Sequence, residues 1–235
     1  METAESRIFS VQPVRGPRLI ATSAALVQEW KGRVDTAPTS HHSLPAILHD
    51  FYSRLGGSLD LLCVQNTILP LDELEVIDDR LVFARENQGV FAWSVEPNLD
   101  DPPVFYRYSG DESWSPDVPH LSQFLLQFTI FELLMGAPLG ASASWLTGEE
   151  LRVVTAGLRE LSYPEWNCPA RPGRFFVRGN ALAFACPNRG PSDCPGEGPG
   201  QPWSFWFGAN DSDGADFLRG LTSPEWEYVA LQSSG

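Results

Sequence analysis

Apolar positions in the early part of the chain recur at helical spacing. Leu44, Ile47, Leu48, Phe51 and Leu55 fall at i, i+3, i+4, i+7 and i+11, which puts them on one face of a helix. Ser43 stands where an N-cap belongs and Gly56 lies just past the end. Leu19, Leu26, Val27 and Trp30 share a face in the same way and predict an earlier helix over 19–30. Residues 1–17 mix charges with Pro13, Gly16 and Pro17 and predict a loose leader; the polar, Pro-containing stretch 36–43 predicts a linker.

The period then changes to that of strands. Leu81, Val82 and Phe83 precede the turn-forming run Arg85, Glu86, Asn87, Gln88, Gly89, and Val90, Phe91, Trp93 and Val95 follow it, which predicts a hairpin. A third run, 104–108, enters through Asp100, Asp101, Pro102 and Pro103, and prolines there suit a sheet edge or bulge. Residues 121–135 are the most apolar stretch. Gln127 and Glu132 interrupt it and it is too short to span a bilayer, so it predicts a core helix. Thr147 and Glu150 form a capping-box pattern ahead of Leu151, Val154, Leu158 and Leu161, an apolar helical stripe. Gly179 and Asn180 between two apolar runs predict a second hairpin over 175–186. The Pro- and Gly-rich residues 187–202 predict a long surface loop, 203–207 a strand, 215–219 a short helix and 226–231 a last ordered segment.

Composition narrows the class. A 43% hydrophobic share with 8 Trp belongs to a folded globular chain. The net charge of −14 repels nucleic acid and anionic membrane surfaces, so neither is expected as a direct partner. Acidity is concentrated between Asp72 and Asp117, where twelve acidic residues face three arginines for a net of −9. Two readings stand: a solubilising surface, or a landing site that steers a basic partner. The first residues carry Glu2 and Glu5 and no apolar core segment. With Cys63, Cys168, Cys186 and Cys194 widely spaced, a reducing cytoplasm and buried thiols are expected.

Motifs for chemistry are missing. The chain has one lysine, Lys31, and no Gly-rich phosphate loop, GxSxG turn, HExxH or CxxC arrangement. His41, His42, His49 and His120 follow no metal spacing. Adjacent carboxylates such as Asp100 with Asp101 and Asp111 with Glu112 keep a carboxylate-dependent hydrolase as a third reading, though adjacency does not give the geometry of an acid–base pair. Asn210, Asp211, Asp213 and Gly214 echo a calcium loop but read better as a helix N-cap. No catalytic residue, metal site or cofactor is expected.

The order of these signals resembles the SUKH superfamily, which includes the Smi/Knr-like regulators. The resemblance is carried by LPAILHDFYSRLGG at 44–57, Asn66 with the run 69–74, FARENQGVFAW at 83–93, DDPPVF at 100–105, Trp114, and LSQFLLQFTIFELLMG at 121–136. It implies an α+β fold, a twisted, largely antiparallel sheet packed against helices. The domain expectation is 1–43 as leader and helix and 44–235 as one domain, residues 145–235 extending the same sheet. It further implies an immunity protein that binds a cognate toxin, often a nuclease, or alternatively an adaptor. The expected partner is that toxin or another basic protein. The expected partner-binding residues are Glu86, Asn87, Gln88, Asp100, Asp101, Phe105, Asp111, Glu112 and Trp114. Turn chemistry competes with binding for Glu86, Asn87 and Gln88, and core packing competes with an interface role for Trp93.

Overall fold

A computed structural model describes residues 3–11, 15–36, 44–166, 172–188, 202–219, 221 and 224–230. From the N-terminus the elements are α1 (Ala4–Val11), α2 (Pro17–Lys31), α3 (Ala46–Leu55), α4 (Leu59–Leu62), β1 (Asn66–Ile68), β2 (Glu75–Ile77), β3 (Arg80–Glu86), β4 (Phe91–Val95), β5 (Val104–Tyr108), β6 (Ser115–Pro116) and α5 (Leu121–Met135). They continue with β7 (Leu139–Leu146), α6 (Gly148–Thr155), β8 (Arg159–Glu160), β9 (Arg174–Arg178), β10 (Ala181–Pro187), β11 (Trp203–Ala209), α7 (Ser212–Arg219) and β12 (Tyr228–Ala230). The fold is α+β with antiparallel sheets, as expected. The chain divides into two compact units, Pro13–Leu133, and Met1–Gln12 with Leu134–Gly235.

In the Pro13–Leu133 unit the sheet runs β1-β3-β4-β5-β6, with β2 paired to the other half of β3. Alternation along β4 turns Trp93 inward, where its ring lies 5.4 Å from Phe124 and 6.4 Å from Phe128 of α5. Phe83 of β3 meets Phe124 edge to face at 5.5 Å. Trp93 is therefore core, and its Nε1 donates to Asp117 at 2.9 Å. Asp78 and Asp79, at φ 53° and 59°, make the two-residue turn between β2 and β3; paired positive φ values match the right-handed twist of the flanking strands.

The other unit has its own sheet, β12-β7-β11-β10-β9-β8. The expected single sheet does not form: the hairpin β3–β4 belongs to one sheet and β9–β10 to another. The first sheet ends at β6, two residues long and containing Pro116, which has no N–H with which to extend a ladder. In the second sheet all seven residues of β10 are buried. Ala181, Ala183 and Ala185 share a core with Leu151 and Val154 of α6 and Ala215 and Leu218 of α7. Phe184, on the alternate face, meets Phe175 at 4.8 Å and Trp206 at 6.0 Å.

Two further expectations are corrected. Residues 4–11 are a helix and not a loose leader, because tertiary bonds satisfy its first turn. Glu5 N donates to Gly179 O at 3.0 Å, Gly179 N to Glu5 Oε2 at 2.9 Å, and Ala4 N to Asn180 Oδ1 at 3.2 Å. The stripe beginning at Leu151 also stops early: α6 closes at Thr155 and Leu161 lies beyond β8, its N–H on Phe175 O. The capping box at Thr147 and Glu150 is present. Asp211 caps α7, its Oδ1 accepting from Gly214 N at 2.8 Å. Ser43 and most of the predicted linker and long loop lie outside the described residues.

Gly208 is a sharp test of the second core. A Cβ there would stand 2.6 Å from Leu134 O and 2.7 Å from the Ala137 Cβ. Gly208→Ala is expected to lower stability by about 1–3 kcal/mol, read as a lower urea midpoint. Gly148→Ala, with nothing within 4 Å, should leave the midpoint unchanged or raise it.

Candidate functional site

The Pro13–Leu133 unit is built around a carboxylate that the sequence shows only as an interruption of an apolar helix. Glu132 of α5 is fully buried and accepts four hydrogen bonds: from Val64 N and Gln65 N on Oε2, each at 2.6 Å, and from Asn66 N and Asn66 Nδ2 on Oε1, at 3.0 and 2.8 Å. Burial pushes its carboxyl above the ordinary glutamate range, while the four donors pull the other way. Lys31 interacts favourably with this charge, although its own burial lowers the ammonium's pKa. From the anchored segment the Val64 carbonyl accepts from Asn87 Nδ2 at 2.9 Å, which holds the β3–β4 turn in place.

The sheet face opposite Trp93 is open. Arg85, Ala92 and Arg107 stand in cross-strand register over β3, β4 and β5. Together with Glu75 and Ile77 of β2, and Asp111 and Trp114 of the loop after β5, they line a groove of about 400 Å³. Both arginines are pre-ordered. Arg85 pairs with Glu75, whereas Arg107 donates to Asp78 at 2.8 Å and its guanidinium lies 4.5 Å from the centre of the Trp114 ring. Tyr108 is exposed at the groove's end, its ring 5.6 Å from Phe91. The groove offers aromatic faces and oriented N–H donors, the side-chain types that anchor protein interfaces.

Seven of the nine expected partner-binding residues gather near this groove. Asp111 and Trp114 line it. Phe105 lies two residues along β5 from Arg107, covered by the Arg80 guanidinium at 3.6 Å. Glu86, Asn87 and Gln88 form the turn at the same end of the sheet as Asp111 and Glu112, since Ser109 N donates to Val90 O at 2.7 Å. Asp100 and Asp101 do not join them. They precede β5 whereas Asp111 and Glu112 follow it, so its five residues separate the pairs by roughly 16 Å.

Several expected contacts have internal duties. Glu86 Oε2 accepts from Gln88 N at 2.8 Å and Val90 N at 3.2 Å, which closes the turn. Gly89 takes the left-handed conformation, φ 69°, that the sequence equally allows at Asn87. Asp101 accepts from Ser122 N and Ser122 Oγ, both at 2.8 Å, and so caps α5 from outside the helix. Asp100, Asp111 and Glu112 are exposed.

Reactive groups are few. Burial pushes the Cys63 thiol up to about 12, so it stays protonated, while its sulfur accepts from Ile68 N at 3.4 Å. Cys186 is buried; Cys168, Cys194, His41 and His42 lie outside the described residues. Among the described residues no group of three His, Cys, Asp or Glu side chains is placed to hold a metal. Among them, too, no helix is long and apolar enough to cross a membrane. No protein-family model, curated protein or solved structure matches the chain.

Glu132 makes stability depend on pH. Its folded carboxyl holds a proton more tightly than the unfolded one, so the folded state binds more protons between the two pKa values, and stability falls as pH rises through that window. Glu132→Gln should remove this slope. It should also cost about 2–4 kcal/mol at neutral pH, because the amide NH₂ then confronts backbone donors. Urea unfolding of both proteins from acid to neutral pH measures the two effects.

Proposed function

We propose that the chain is a non-catalytic immunity protein that binds a cognate toxin in the cytoplasm and neutralises it by stoichiometric occlusion. The observation that carries this reading is the open sheet groove, where Trp114 stacked on Arg107 and the exposed Tyr108 stand beside the unburied carboxylates of Asp111 and Glu112. Aromatic and arginine anchors ringed by like charge suit a partner whose surface is basic, as a nuclease's is around its nucleic-acid path. The resemblance of the motif order to that of the SUKH superfamily supports the same reading. The groove is formed by the segment that carries the −9 charge, so steering and anchoring come from one surface.

The test uses, in purified form, the protein identified by co-purification with this chain from its native cell. Inhibition is expected to complete at one-to-one stoichiometry. A variant combining Asp100→Asn, Asp111→Asn and Glu112→Gln should associate roughly tenfold more slowly at low salt, with the difference shrinking at physiological salt. Trp114→Ala should act on dissociation and weaken binding by about 2 kcal/mol or more. Glu86 and Asp101 are left intact because they hold the turn and α5. A toxin that stays active at saturation, or an association rate indifferent to both salt and charge, rules the reading out.

A further inference from the structure

The second sheet carries a different feature at its β7 edge. Leu146 pairs with Trp203 and Ala143 with Phe205, so β7 uses three steps where β11 uses two, which is a β-bulge. Within it Trp145 takes φ 62°, a conformation unfavourable for any residue with a Cβ, and its side chain is 57% exposed. On the opposite edge β12 covers β7 only from Gly140 to Ser142, with Glu227 N on Ser142 O as the last bond. Past Ser142, no strand among the described residues pairs β7 on that side.

A groove of about 440 Å³ lies there, lined by Trp145, Trp226, Glu150, Glu225 and Glu227 among others, and among the described residues none that lines it is basic. Glu150 uses Oε2 in the capping box, and Glu227 Oε2 accepts from Ser144 Oγ at 3.0 Å; Oε1 of each lies outside those bonds. Glu225 is exposed, and among the described residues no ion pair neutralises any of the three. The exposed Trp145 indole and Trp226, half-buried with its ring centre 6.4 Å from that of Phe205, stand beside three carboxylates and attract a planar cation through ring quadrupole and charge together. The edge of β7 past Ser142, which no described strand pairs, adds backbone groups for an extended chain.

We propose that this groove takes an arginine-bearing extended segment of a partner protein, the guanidinium resting between Trp145 and Trp226 against Glu225 and Glu227. The inference goes beyond the immunity reading, since a toxin and an adaptor's partner would both be met this way. Holding a tryptophan at a left-handed position costs backbone energy, so glycine there can keep the fold while removing the ring, and this makes binding and stability separable.

The experiment observes tryptophan indole signals of the full chain by NMR during titration with the peptide Ac-Thr-Val-Arg-Val-Thr-NH₂ and its citrulline counterpart, an uncharged isostere. The Trp145 and Trp226 signals, assigned with Trp145→Phe and Trp226→Phe, are expected to move with the arginine peptide. Affinity should fall at least about tenfold for citrulline and comparably in a Glu225→Gln, Glu227→Gln double variant. Trp145→Gly should melt at the same or a higher temperature, since glycine adopts this φ freely, yet lose the response. Equal affinity for arginine and citrulline, or a response that survives Trp145→Gly, overturns the proposal. So do indole shifts that depend on protein concentration without peptide, which would mean a second copy occupies the groove. If Trp145→Gly does not fold, the double carboxamide variant decides.

Discussion

The first unit depends on one buried carboxylate. A charge inside an apolar helix is tolerable only where fixed dipoles replace the water it has lost, and residues 64–66 supply four N–H groups for that purpose. The exchange is mutual. Without Glu132 the three backbone donors among them would lose that acceptor. The bond set fixes where β1 begins, hence the register of Asn66 against Glu86, and through Asn87 the position of the turn beside the groove. A hydrocarbon at position 132 would pack against α5's neighbours but would leave that chain of constraints without an origin.

What could be read in advance follows from how local each signal is. The span 121–135 is bounded by Pro119 and Gly136, and its composition suits a helix buried on all sides, so it is read to the residue. The hairpins announce themselves through Gln88 with Gly89 and Gly179 with Asn180. Strand β7, with the sequence LGASASWL, gives no such warning, because Gly, Ala and Ser have little intrinsic strand preference. Helix α1 is invisible for a related reason: its stability resides in bonds to residues far along the chain.

The candidate site was partly legible. Trp114 and Asp111 belong to the groove, whereas Arg85 and Arg107 become apparent only once cross-strand register is known. Glu132 carried a usable signal, a lone acidic residue among leucines, since carboxylates are almost never buried unless bonded. Its donors could not be named from sequence. Trp145 carried none, for nothing in ASASWL marks a left-handed residue.

Asn180 joins elements that lie far apart in the sequence. Its Oδ1 receives Ala4 N while its Nδ2 donates to Asp211 Oδ2 at 2.9 Å. An eight-residue helix is marginal in isolation. At ordinary translation speeds, roughly ten to thirty-five seconds pass between the appearance of Ala4 and that of its acceptor 176 residues later. During that interval Ile8, fully buried at the end, is open to solvent. Helix α1 is thus made well before it can be fixed, and until residues 179–180 appear the Ile8 side chain is open to any chaperone or neighbouring chain.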